Sequence, residues 1–207
     1  VPAIPRAATA RASAVASVVP ARIKRLGGMA DARSDKAWLT IVGLGEDGPD
    51  GLPPASRAAL DAAEVVMGAK RHLALLPDIT AETRAWPVPF ADGIPQVLAL
   101  RGRAVVVLAS GDPFWFGAGS SIARHLEAHE WRALTGPSTF TLAAARLGWP
   151  LEHVHCLGLH AAPLTRLKPV LAPGVRVLVL LRDGDAVVEL ARSLADARLT
   201  LADALAA

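Results

Sequence analysis

From residue 38 onward the spacing of apolar positions switches repeatedly between short continuous runs and helical periodicity. Residues 38–44 (WLTIVGL) are a β-branched apolar run closed by glycine, the pattern of a strand buried on both faces. Residues 56–63 read as a helix, introduced by Pro53 and Pro54, which suit a helix N-terminus. Residues 65–67 form a second short strand and 68–76 a second helix, stopped by Pro77. The stretch 86–90 is extended and Pro-rich, 94–100 is a third helix, and 104–109 (AVVVLA) is the plainest strand in the chain. Residues 120–129 are helical. A strand at 132–134, a helix at 139–147 and a strand at 154–159 follow. The pattern closes with a short helix at 163–171, a strong buried strand at 175–181 and a helix at 186–195.

This alternation predicts an α/β fold with a largely parallel sheet in its first half. The connection at 130–136 is the expected boundary between an N-terminal α/β domain (38–130) and a C-terminal one (131–207). Residues 1–37 are expected to be a leader, disordered or a start-site extension before Met29, and are set aside from the fold. No apolar run in the leader is long enough for a signal peptide or a membrane span.

Composition changes this picture in two respects. The formal net charge of +3 arises from 22 basic and 19 acidic residues. Five of the basic ones (Arg6, Arg11, Arg22, Lys24 and Arg25) lie in the first 28 residues, which hold no acid, so the remainder carries about −2. The basic balance therefore argues nothing for nucleic acid, which is excluded as a partner, as is a membrane. The one cysteine, Cys156, rules out an intrachain disulfide and any multi-cysteine metal site, and fits a reducing cytoplasm.

Four segments carry candidate chemistry. Gly43-Leu-Gly45-Glu-Asp-Gly48 is formally GxGxxG after a strand. A dinucleotide site needs the third glycine at the head of a helix facing the diphosphate. Pro49-Asp-Gly-Leu-Pro-Pro54 follows instead, and Glu46 and Asp47 bring negative charge to that place. The glycines then serve either a different ligand or a tight turn. Ser110-Gly-Asp-Pro-Phe-Trp-Phe-Gly117 follows the strand AVVVLA, at the carboxyl end where parallel sheets bind ligands. Gly111 allows close backbone approach, and Asp112 is either a ligand-facing acceptor or a turn residue. In the third segment, 136–145 (GPSTFTLAAA), Ser138 is placed to cap the next helix. Leu159-His160 and Leu181-Arg182 are carboxyl ends of two further strands. Nothing here marks a general base.

In this order, VGLGEDG, SGDPFWFG, GPSTFTLAAARLGWP, then LH and LLRDG, the chain resembles the tetrapyrrole methylase family over nearly all of 38–207. ASGDPFWFG and PSTFTLAAARLGWPLEHVHCLGLH are the most specific parts. The resemblance is nearest to the branch that methylates ring carbon C5 of a precorrin in cobalamin synthesis. It implies two α/β domains with a trough between them and S-adenosylmethionine at their interface. Carried over motif by motif, the cofactor would touch Gly43 and Gly45, and Gly111, Asp112, Pro113, Trp115 and Phe116. It would also touch Thr139, Phe140, Leu159 and Leu181. The resemblance further implies a homodimer and a precorrin substrate, with a separate decarboxylating C15-methyltransferase for the second methylation. Arg57, Lys70, Arg71, Arg166 and Lys168 are candidates for the substrate carboxylates, against a reading as solvated surface.

The chain departs from the family where Arg198-Leu-Thr-Leu-Ala-Asp-Ala-Leu-Ala-Ala ends it without the expected GGP-x-E segment. The alternative is therefore a truncated, non-catalytic domain that binds a tetrapyrrole or a partner. No metal site is expected: on a strand, His153 and His155 share one face and Cys156 takes the other. His125 and His129 are spaced HxExH, the default being an exposed helix face.

Overall fold

A computed structural model describes residues 37–196. The expected leader, but for Ala37, and the segment that departs from the family pattern lie outside the described residues.

The apolar runs become strands as the sequence pattern requires. β1 (Leu39–Leu44), β2 (Val65–Gly68), β3 (Glu82–Ala85), β4 (Val105–Ser110) and β5 (Trp131–Leu134) form one parallel sheet in the order β3-β2-β4-β1-β5. Alternation within each central strand sends side chains to two cores. Leu39, Ile41, Met67, Val105 and Val107 pack on one face with Val97 and Ile122, carried by α3 (Gly93–Leu98) and α4 (Ala118–Ala123). Val42, Leu44, Val66, Val106 and Leu108 pack on the other, beneath α1 (Pro54–Asp61) and α2 (Lys70–Ala74). Burial on both faces explains why these strands read as unbroken apolar runs.

A second, smaller sheet pairs β6 (Val154–Gly158) with β7 (Arg176–Leu180), again parallel. Its connection contains a 3-10 stretch, Leu164–Val170, and α6 (Gly184–Asp196) follows it. Leu157, Val177, Val179 and Leu181 of this unit point to one side, against Leu159, Leu167, Leu190 and Leu194. Between the two sheets lies α5 (Thr139–Leu147), with Ser138 at its N-cap, where the side chain accepts the Thr141 N–H. Gly148 at φ 64° ends α5, and the Trp149 amide reaches back to the Ala144 carbonyl, as in a Schellman stop.

The structure corrects the sequence reading at four places. β5 belongs to the first sheet, paired with β1, so that sheet continues past the expected boundary at 130. β3 was not expected: ETRA is polar because it is an exposed edge strand. The helix expected at 120–129 stops at Ala123, so His125 and His129 share no helical face. The strand at 176–180 is only half-buried, because its sheet has just two strands among the described residues.

Candidate functional site

The carboxyl ends of β1, β4 and β5 meet at a junction of bare backbone. The Gly111 N–H donates to the Leu44 carbonyl at 2.9 Å, and the Gly136 N–H donates to the Gly111 carbonyl at 3.0 Å. Gly43 lies so close to the Gly111 carbonyl and the Gly136 amide that no Cβ fits there. Its role is close approach of three chain segments. Gly45 and Gly51 similarly leave room for the Asp47 carboxylate, and Gly48 opens the 3-10 turn Gly48–Gly51 rather than a helix. The diphosphate-binding geometry is absent here, for the reason the following prolines gave.

The loop after β4 is tightly organised. Gly111 takes φ 51° and packs on the Pro137 carbonyl. Asp112 Oδ1 accepts the Phe114 N–H at 2.8 Å, the Asp112 carbonyl accepts the Trp115 N–H at 3.2 Å, and the carbonyl of buried Pro113 accepts the Gly119 N–H at 2.8 Å. Phe114 stacks on Trp131, while Trp115 and the half-exposed Phe116 lie against buried Phe140, at 5.3 and 5.9 Å between ring centroids. Phe116 holds φ 57°, a left-handed conformation that costs a non-glycine residue energy and concentrates at working sites.

These parts enclose a cleft of about 520 Å³. Asp112, Trp115 and Phe116 line one wall, and Ser138, Thr139 and Phe140 at the head of α5 line another. Leu180 of the second sheet closes the far side, and the Phe116 ring rests against Gly158. On the β2–β3 side stand Trp86 and Phe90, stacked at 4.9 Å, with Val88 almost wholly exposed beside them.

One polar residue lining the cleft, His72, escaped the sequence reading. His72 on α2 is 6% exposed, and its Nε2 lies 3.0 Å from Ser110 Oγ at the end of β4. Arg71 donates to the same hydroxyl at 2.7 Å and to Glu46 at 2.6 Å. His72 Nδ1 is buried and makes no hydrogen bond. Burial first, and then the Arg71 charge, hold the His72 pKa below the usual imidazole value, with Glu46 and the Leu108 carbonyl opposing. The signal in sequence was a lone histidine on a short helix, indistinguishable from a packed core residue.

Of the expected site residues, Asp112, Trp115, Phe116, Thr139 and Phe140 line the cleft. Gly43, Gly111 and Pro113 shape the junction and loop behind it, and Gly45 sits in the adjoining turn. Leu159 and Leu181 do not join them. They face the core of the second unit, and the cleft meets their neighbours, Gly158 through Phe116 and Leu180 directly. Strand alternation explains the displacement by one residue. Leu159, His160 and Arg182 line a different cavity of about 320 Å³, which shares no residue with the first. Arg57 braces the turn before α1 through the Leu52 and Asp50 carbonyls. Among the described residues no three His, Cys, Asp or Glu side chains gather as a metal site, and no helix is long and apolar enough to cross a membrane.

A parallel α/β sheet, ending in a glycine junction and an aromatic loop that faces a second small sheet, defines a small-molecule-binding α/β protein. The chain belongs to the Tetrapyrrole (Corrin/Porphyrin) Methylases, whose family model matches residues 38–207. It is 43% identical over 174 residues to a Sinorhizobium precorrin-6Y C(5,15)-methyltransferase [decarboxylating], covering 81% of this chain and 42% of that protein. It is 34% identical over 122 residues to the cobalt-precorrin-7 C(5)-methyltransferase of Salmonella typhimurium, covering 59% of this chain and 61% of that one. Among solved structures, the Archaeoglobus fulgidus precorrin-6Y methylase (cbiE) is similar at a TM-score of 0.53 and 26% identity, over 69% of this chain and 72% of that one. The chain thus spans well under half the length of the Sinorhizobium relative.

Proposed function

We propose that this chain is an S-adenosylmethionine-dependent C-methyltransferase that acts on C5 of a precorrin macrocycle in cobalamin synthesis. The observation that carries the reading is the cleft itself, where the Asp112 loop, the head of α5 and the second sheet converge. Its volume falls in the range of about 300–1,000 Å³ usual for small-molecule sites. The donor set fits the cofactor: rings at Trp115 and Phe140 offer faces to a nucleobase, and Ser138, Thr139 and Asp112 offer polar groups to the rest. S-adenosylmethionine supplies an electrophilic methyl group on a positively charged sulfur.

The chain's own contribution is positional. Methyl transfer to carbon needs alignment and exclusion of water more than it needs a covalent protein intermediate, and well-oriented reactants gain about 7–11 kcal/mol of the barrier. The glycine junction and the strained Phe116 fix the loop that would align the donor. The stacked Trp86 and Phe90, with exposed Val88, give the apolar side of the cleft a surface suited to the face of a macrocycle, and Arg71 stands near for a carboxylate. We place Gly43, Gly45, Gly111, Asp112, Pro113, Trp115, Phe116, Thr139 and Phe140 in the cofactor site, the first three and Pro113 as its frame. Two α/β units, dividing after β5 rather than at 130, form its walls. The enzyme works in the cytoplasm as a homodimer, and the decarboxylating C15 methylation falls to a separate unit.

Titration calorimetry of the full chain with S-adenosylhomocysteine tests this reading. Micromolar binding is expected, weakened about tenfold in Asp112→Ala, since the lost turn hydrogen bond is worth about 1–1.5 kcal/mol. A folded chain that binds no S-adenosylhomocysteine would instead be a non-catalytic tetrapyrrole- or partner-binding domain.

A further inference from the structure

Methylating a ring carbon that already bears hydrogen leaves a proton to be removed, and the one carboxylate among the expected site residues, Asp112, is held to its own loop by the Phe114 amide. The cleft does contain one arrangement built for the purpose. We propose that Ser110 and His72 form a proton relay in the cleft wall, Ser110 Oγ taking the proton from the methylated carbon while passing its own to His72 Nε2. The inference rests on reading the cleft as the methyl-transfer site.

The relay requires a particular direction for each hydrogen bond. Arg71 only donates, so at 2.7 Å it occupies one lone pair of Ser110 Oγ. The relay places the proton of the neutral imidazole on Nδ1, the ring nitrogen turned away from Ser110. Nε2 is then the bare nitrogen, and at 3.0 Å it accepts the Ser110 hydroxyl. Ser110 is exposed and lines the cleft, whereas His72 Nδ1 is buried and lacks a good partner. A hydroxyl faces the ligand, therefore, with a neutral base behind it.

The step balances. The substrate carbon gains the methyl group, the methyl–sulfur bond breaks and the sulfur becomes neutral, leaving a cationic ring. The carbon–hydrogen bond then gives its proton to Ser110 Oγ and its electron pair back to the ring, while the serine proton moves to Nε2. A cationic ring is a strong acid, so a weak base suffices. The charged groups bearing on His72 are Arg71 from its own helix and Glu46 from the turn after β1. On β3 the charge of Glu82 is paired with Arg84 and Arg103, and β4 presents only Ser110 and the Leu108 carbonyl. Arg71 opposes a lasting imidazolium and so favours return of the proton after turnover, with Glu46 partly offsetting it.

Two readouts on the full chain test the relay. Imidazole nitrogen-15 NMR at pH 7 should find His72 neutral with its proton on Nδ1, and Ser110→Ala should move the Nε2 resonance. An Nε2–H tautomer or a charged ring overturns the relay whether or not the cofactor binds. In single-turnover methylation of a precorrin, Ser110→Ala and His72→Gln should each slow the chemical step by about 10²–10⁴-fold, the span of general acid–base catalysis, with S-adenosylhomocysteine affinity within about twofold of wild type. Wild type should lose rate with falling pH below about 6.5, and His72→Gln, which keeps a hydrogen bond to Ser110 but takes no proton, should lack that acid limb. Wild-type rate and acid limb in a folded His72→Gln would sink the relay. Failure of wild type to bind S-adenosylhomocysteine would sink the methyltransferase reading instead.

Discussion

The ring of Phe116 occupies the space that a side chain on Gly158 would need, joining the loop after β4 to the second sheet. Gly158→Ala should push that ring off its seat, and Phe116, already held at φ 57°, has little freedom to adjust. We expect S-adenosylhomocysteine affinity to fall about tenfold, roughly 1.4 kcal/mol, with a smaller loss of thermal stability. Calorimetric titration beside a melting curve separates the two; a stability loss with unchanged affinity would make the contact purely structural.

Gly43→Ala should be more damaging to the fold. The new methyl would meet the Gly111 carbonyl and the Gly136 amide, which are backbone and held by their own hydrogen bonds. Overpacking of this kind costs about 1–3 kcal/mol or more, and each kcal/mol lowers the melting temperature of a chain this size by about 2–4 °C. Gly45→Ala, where only the Asp47 carboxylate must move, should cost less. Equal losses at the two positions would refute the junction.

Ser138→Ala removes the side-chain acceptor of the Thr141 amide and leaves the head of α5 uncapped. The expected cost is about 1 kcal/mol in denaturant unfolding. Because Thr139 and Phe140 begin that helix and line the cleft, ligand affinity should fall as well. Ser138→Asp, which restores a capping acceptor, should recover most of the stability.

Glu130 supplies the pH prediction. It accepts from the Glu127 backbone amide, from Trp38 Nε1 and from Arg101, and these bonds, the amide first, hold its pKa down to about 2 against a usual 4.5. A carboxylate with a depressed folded pKa stabilises the fold above its unfolded value and loses that contribution as pH falls. The contribution is thus complete above about 4.5 and disappears on the way to about 2. Glu130→Gln should lower the melting temperature at pH 7 and flatten its decline over that window; a parallel decline in both proteins would exclude Glu130 as a source.

The sequence made β1 and β4 plain because strands buried on both faces leave unbroken apolar runs. It also pointed to the Asp112 loop and Ser138, whose roles are local: an aspartate two residues before the amide it accepts, and a serine three residues before its own. β3 stayed hidden because a polar edge strand resembles a loop. The cleft meets Gly158 and Leu180 where the sequence pointed to Leu159 and Leu181, because apolar side chains stand on both faces of β7 and composition does not reveal which faces the cleft. His72 was illegible for a different reason: its partner, Ser110, is 38 residues away, and only the pairing of β2 with β4 brings them together.

The two sheets are unequal: five strands, the central three covered on both sides, against two among the described residues. Amide exchange should therefore be slow through β1 and β4 and faster through β6 and β7, whose opening exposes less apolar surface. A ligand spanning both units binds only when the weaker one is in place, so its binding free energy is added to that unit's closure. Occupancy would even out a molecule that is firm at one end and loose at the other. The breathing of the small sheet, more than the rigidity of the large one, would then set how quickly ligands enter and leave.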